Sequence, residues 1–159
     1  MPFTPFHFGP GLLAKGVASP HVSLTAFVAT QVVVDLEPLY FMLRGEYPVH
    51  RWGHTVWVAG GIGLAVGAAL WAIARPRLAA ATPAVRADLG LEPALIGGVL
   101  GGVSHPLLDG LMHRDVRALR PLAETTWVLE PGGVAMLHLA CLVAGVLGAL
   151  LLVVRRARA

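Results

Sequence analysis

Residues 94–113 read Ala-Leu-Ile-Gly-Gly-Val-Leu-Gly-Gly-Val-Ser-His-Pro-Leu-Leu-Asp-Gly-Leu-Met-His. As a helix, the segment 94–112 is long enough to cross a hydrocarbon layer. His105, Asp109 and His113 recur every four residues, so a helix carries them as one stripe on one face. An ionisable side chain in hydrocarbon costs about 3 kcal/mol on insertion scales and is rarely idle there. Imidazole nitrogen and carboxylate oxygen one turn apart suit a divalent cation. A polar seam between packed helices is the other reading of the same stripe.

The rest of the chain extends that pattern. Of 159 residues, 56% are hydrophobic and only 13% charged, against about 25% charged in an ordinary soluble domain. The charges sit in short connections, as expected of a multi-pass membrane protein built as a single helical domain. A net charge of +3, dispersed along the chain, gives no nucleic-acid footprint. Cys141 is the only cysteine, which excludes an internal disulfide and argues against a cysteine zinc cluster. The first residues lack the basic-then-apolar order of a signal peptide.

The expected architecture is all-α: four spanning helices plus a short N-terminal helix. Residues 6–18 form the short helix, and Ser19-Pro20 breaks it. Spans follow at residues 22–43, 54–74, 94–112 and 134–154, separated by polar connections at 44–53, 75–92 and 114–133. Pro38 removes a backbone donor, so the first span should kink, leaving a carbonyl near position 34 without its usual partner. Gly60, Gly61, Gly63 and Gly67 provide small-residue spacing for close helix packing, and the span at 94–112 is again glycine-rich through Gly97, Gly98, Gly101 and Gly102. Trp52, Trp57, Trp71 and Trp127 read as interface-belt residues.

Short connections make neighbouring helices antiparallel, which brings most of the ionisable residues to one end, here called upper. His7, Asp35, Glu37, His50, His54, His105, Asp109, His113 and His138 all fall there, whereas His21 falls at the other end. Individual alternatives remain open: His7 as an interfacial residue, Glu37 paired with Arg44 or Arg51, and Asp115 capping or paired with Arg114 or Arg117. Seven basic residues lie on the lower side (Lys15, Arg75, Arg77, Arg86, Arg155, Arg156, Arg158) against five above (Arg44, Arg51, Arg114, Arg117, Arg120). The positive-inside rule then directs the upper end away from the cytoplasm.

These residues resemble a family, the membrane-bound metal-dependent hydrolases of bacterial inner membranes, related by motif to zinc phospholipase C. Four pieces carry the resemblance: Thr4 with His7, Asp35-Leu36-Glu37, His50-Arg51-Trp52-Gly53-His54-Thr55, and Ser104-His105 through Asp109. Many members have Pro-Asp-x-Asp where this chain has Val34-Asp35-Leu36-Glu37. The resemblance implies a divalent metal, Zn by preference and one or two ions, held by His7, Asp35, His50, His54, His105, Asp109 and His113. If the protein is an enzyme, Glu37 is the expected general base and Arg51 or Arg114 would hold an anionic head group, and the depth of the site in the bilayer points to a membrane lipid or other phosphoester as substrate. Metal or proton transport, bis-histidine haem ligation and a purely structural role are the rival expectations.

Overall fold

A computed structural model of the chain describes residues 5–158. Thr4 lies outside the described residues. Among those residues the fold is all-helical: α1 (Phe8–Ala18), α2 (Leu24–Val34), α3 (Leu36–Leu43), α4 (Val56–Ala74), α5 (Pro83–Leu89), α6 (Leu91–Gly110) and α7 (Pro131–Ala157). Short 3-10 turns at Pro5–His7, Trp52–His54 and Arg75–Ala80 precede α1, precede α4 and extend α4. Local chemistry sets several starts. Ser23 Oγ accepts from the Ala26 N–H at 3.0 Å at the head of α2, and Thr55 caps α4 in the same way. Pro83 opens α5 behind the capping Thr82.

Three segments are long and apolar enough to cross a membrane: Leu24–Leu43, Val56–Ala80 and Pro131–Ala157. The fourth expected span, α6, has 20 residues but does not join them. Its Glu92, His105, Asp109 and five glycines dilute the apolar character that the other three keep. It is instead the hub of the bundle, lying between α2 and α4, with α1 packed on α2 and α7 leaning on α1 from outside. The continuous helix expected over 22–43 divides at Asp35, which separates α2 from α3 two residues from Glu37 and three from Pro38. The connection at 75–92 is helical over α5 rather than an open polar loop.

Glycine makes these contacts possible. A Cβ at Gly63 would fall on the Gly98 carbonyl, one at Gly102 on the Ala59 carbonyl, and one at Gly97 on the Ser23 carbonyl. Backbones of α2, α4 and α6 therefore touch directly, which holds the upper ends of the three helices at fixed separation. Above them the segment 111–130 folds back as irregular chain. Val56 N–H donates to the Ala118 carbonyl at 2.9 Å, and Val56, Val116 and Ala118 form a small apolar cluster with Leu119. That cluster pins Asp115 over the bundle end.

Candidate metal centre

The Pro106 ring sits mid-helix in α6 and the helix continues through it, so His105 and Asp109 keep their one-turn spacing. Their Nε2 and Oδ2 atoms lie 3.2 Å apart. Asp35, at the break between α2 and α3, brings Oδ1 to 3.1 Å from His105 Nε2 and 4.0 Å from His54 Nε2. His54 Nε2 is also 3.5 Å from Asp109 Oδ2. Asp35, His54, His105 and Asp109 are all buried, each with one donor atom within 4.8 Å of the others. Zinc ligands at about 2.0–2.1 Å in a tetrahedron stand about 3.3 Å from one another, the scale of the contacts seen here.

The second ring nitrogens explain the arrangement. His54 Nδ1 meets Glu37 Oε2 at 3.0 Å, His50 Nδ1 meets Asp115 Oδ1 at 3.0 Å, and His105 Nδ1 meets Gln31 Oε1. With an acceptor at each Nδ1, a proton on that nitrogen leaves Nε2 as the atom that would face a bound cation between the carboxylates. Histidines that bind metals are held in this way by an outer hydrogen bond, which fixes both tautomer and ring orientation. His50 Nε2 stands 4.0 Å from Asp109 Oδ2, and His7 Nε2 stands 3.5 Å from Asp109 Oδ1. His113 is half-buried, with Nε2 3.9 Å from the same Oδ1, and stacks on His50 at 4.8 Å. His50, Asp109 and His113 form a second possible ligand group that shares Asp109 with the first.

Charge and satisfaction both point to a cation. Among the described residues no Lys or Arg ion pair reaches Asp35 or Asp109, although both carboxylates are buried. Burying unpaired carboxylates is prohibitive, so protons or a metal must compensate them. One divalent ion would match the two carboxylates, and without it protons on the facing imidazoles balance them. Burial lowers His7 to about 4, against the opposing pull of Asp109, and His50 is likewise lowered by burial and then by His54. Both are therefore neutral at pH 7, the form that binds metal. His54 Nε2, His7 Nε2 and His7 Nδ1 are buried without hydrogen-bond partners, as is the amide nitrogen of Gln31. Such orphaned buried atoms are expensive unless something absent from the protein chain satisfies them.

Several residues occupy places the sequence did not indicate. Glu37 accepts from the Arg51 and Gly53 N–H groups at 3.0 and 2.8 Å besides holding His54, so its carboxylate orients the His50–His54 turn. Asp115 accepts from the Val49 and His50 N–H groups, each at 3.1 Å, and makes no ion pair with Arg114 or Arg117 among the described residues. Gln31 buttresses His105 through its side-chain oxygen. Arg51 donates to Glu46 at 2.9 Å and to the Pro48 carbonyl at 3.0 Å, and lies 3.5 Å over the Phe41 ring. His138 stands apart, stacked on Phe6 with Nε2 3.2 Å from Met112 Sδ. The only sequence signal for Gln31 and Asp115 would have been their register, one helical turn before Asp35 and two residues after His113.

Next to His50 and Asp115 opens a cavity of about 640 Å³, bordered by Arg51, Arg114, Arg117 and Arg120. Arg117 and Arg120 share Glu124 at 3.2 and 3.1 Å, and Arg120 lies over Trp52, which lines the cavity instead of standing alone in an interface belt. Against Asp115, Glu124 and the Glu46 that pairs with Arg51, the four guanidiniums leave one positive charge in excess, which suits an anion. The chain matches no family model, no curated protein and no solved structure.

Proposed function

We propose that this chain is a multi-pass membrane metal-dependent hydrolase acting on a phosphoester, and that α6 crosses the bilayer with the three apolar segments. One observation carries the reading: buried histidines turn their Nε2 atoms toward paired carboxylates while outer acceptors hold each Nδ1. Asp35, His54, His105 and Asp109 would hold the ion, and Asp109 could bridge to a second held by His50 and His113. His7 is close enough to Asp109 to complete either set. Such an ion, Zn²⁺ by preference, supplies Lewis acidity, polarising a phosphoryl oxygen and acidifying water to a pKa of about 7.

The protein's own groups do the remaining work. Gln31, Glu37 and Asp115 hold the imidazoles of His105, His54 and His50 aimed, with Nε2 toward the ion, while the guanidiniums around the adjoining cavity bind and orient the substrate's negative charge. Glu37 serves this reading better as a positioning residue than as the general base, because three hydrogen-bond donors already occupy its oxygens. The membership in the bacterial inner-membrane hydrolases that the motifs suggest remains part of the proposal, as does the placement of the upper end outside the cytoplasm. Transport is less favoured: below Gln31 the helices meet backbone to backbone at Gly97, Gly98 and Gly101, so α6 offers no polar side chain to continue a path.

Metal analysis by mass spectrometry on detergent-purified protein tests this directly. Near-stoichiometric metal in the parent, its loss in the His105→Ala, Asp109→Ala double variant, and metal-dependent cleavage of a phosphodiester probe are expected. Absence of metal after chelator-free purification and attempted reloading would overturn the reading.

A further inference from the structure

We propose that the groove between α2 and α7, floored by α1, holds one acyl chain of a membrane phospholipid and leads it to the metal centre. The groove has a volume of about 460 Å³ and is lined almost wholly by apolar side chains, among them Phe8, Leu12, Val28, Leu142 and Val146. Its origin is in the packing. α7 rests on α1 through backbone contacts at Gly9 against Cys141 and Gly16 against Gly148, whereas α2 turns toward α6 at Gly97 and Gly101. The two long helices thus stand apart across the thin, 11-residue α1. Leu142 and Val146, one turn apart, are 54% and 53% exposed along that gap.

Continuity selects the occupant. Pro5 and Phe8 border both the groove and a cavity of about 80 Å³ whose other walls include His7, Gln31, Asp35 and His105. The upper end of the groove is therefore separated only by Pro5 and Phe8 from a space walled by Asp35, His105 and Gln31, whose amide nitrogen is unpartnered. From there it descends along α7 from Cys141 to Ala149, about 12 Å at 1.5 Å per residue, in the part of the helix that is apolar enough to lie in hydrocarbon. The arginine-bordered cavity reaches the centre through His50 and shares no lining residue with the groove. An apolar approach from the bilayer and a cationic one from water, meeting at one site, match an anionic amphiphile with its ester region at the metal. As a substrate assignment this rests on the hydrolase reading; as a binding site it stands without it.

The test is photolabelling in phosphatidylglycerol vesicles containing a phospholipid with a diazirine on one acyl chain. Labels are expected to concentrate on α1, α2 and α7 beside the groove. Labelling should fall about tenfold in Val28→Trp and, independently, in Ala149→Trp, each of which fills the groove from a different helix. Leu150→Trp, on the lipid-facing side of α7, should leave it unchanged. Equal labelling of the outward residues Val58, Leu64 and Ile73 of α4, or undiminished labelling in both groove variants, would overturn the proposal. Specific labelling that persists in the His105→Ala, Asp109→Ala variant, with no metal and no hydrolysis in the parent, keeps the groove and removes the hydrolase. Metal and hydrolysis with non-specific labelling do the reverse.

Discussion

The two ends of the bundle each gather buried or half-buried ionisable groups, but they are finished differently. At the lower end Asp88 of α5 accepts from the Leu24 N–H at 3.0 Å and from the Thr25 N–H and Ser23 hydroxyl at 3.3 Å, and Lys15 Nζ sits 3.0 Å away. Asp88 is the tertiary cap of α2, and one cation balances one carboxylate. At the upper end two buried carboxylates face histidines alone, and several ring nitrogens have no partner. A polar cluster that closes on itself is architecture. One that stays electrostatically and sterically incomplete is built around something else.

The sharpest way to break this contrast is to remove ligands from each end. His105→Ala with Asp109→Ala should abolish metal retention and hydrolysis, whereas Asp88→Ala should retain its metal; both are read by metal content on folded protein. If the two variants lose metal alike, the contrast fails. A smaller effect is expected from the outer hydrogen bonds. Glu37→Gln and Asp115→Asn should each weaken metal affinity about 10–100-fold, measured by competition with a chromogenic chelator. At saturating metal the thermal midpoints should stay near that of the parent, which a purely structural role for these carboxylates would not allow.

Next in size is the metal's contribution to stability. Chelation should lower the unfolding midpoint, and reloading to 100 times Kd should restore about 2.7 kcal/mol. The same increment is expected in Asp88→Ala, because the lower end does not sense the ion. Asp88→Ala itself should cost about 2 kcal/mol through the lost cap and the lost charged hydrogen bonds. Burial alone would raise the Asp88 carboxyl, but the hydrogen bond from Thr25, then Lys15 and the Leu24 N–H, outweigh it and hold the group below its ordinary 3.8. Its stabilisation is therefore complete above pH 3.8 and is lost as pH falls through the lower folded value. The variant should lack that acid-dependent loss in thermal unfolding scans of metal-free protein.

Much of the site was legible because helical register is short-range. The four-residue spacing of His105, Asp109 and His113, and an acid stranded in an apolar run at Asp35, announce themselves without tertiary information. The helical class follows equally from composition and pattern, whereas of the four expected spans only three segments among the described residues are long and apolar enough to cross a membrane. The role of Glu37 was not legible, since three donors reach it from a turn 14 to 17 residues away. Of the two readings of Asp115, the arginine pairing rested on its neighbours in sequence, whereas its neighbours in space are the backbone N–H groups of residues 49 and 50 and the His50 ring.

From the sequence alone came the long apolar segments, the helical stripes and the convergence of histidines and acids at one end. Each depends on local period and on where charge can exist in an apolar chain. Tertiary structure alone decided which atoms of those residues face each other. It turned Nε2 inward by placing an acceptor at each Nδ1, divided the span at Asp35, and made α6 the hub where glycine backbones touch. It also separated α7 from α2 to open the groove. The physical reason is that hydrogen-bond direction and helix separation depend on partners distant in the chain, which a linear pattern cannot specify.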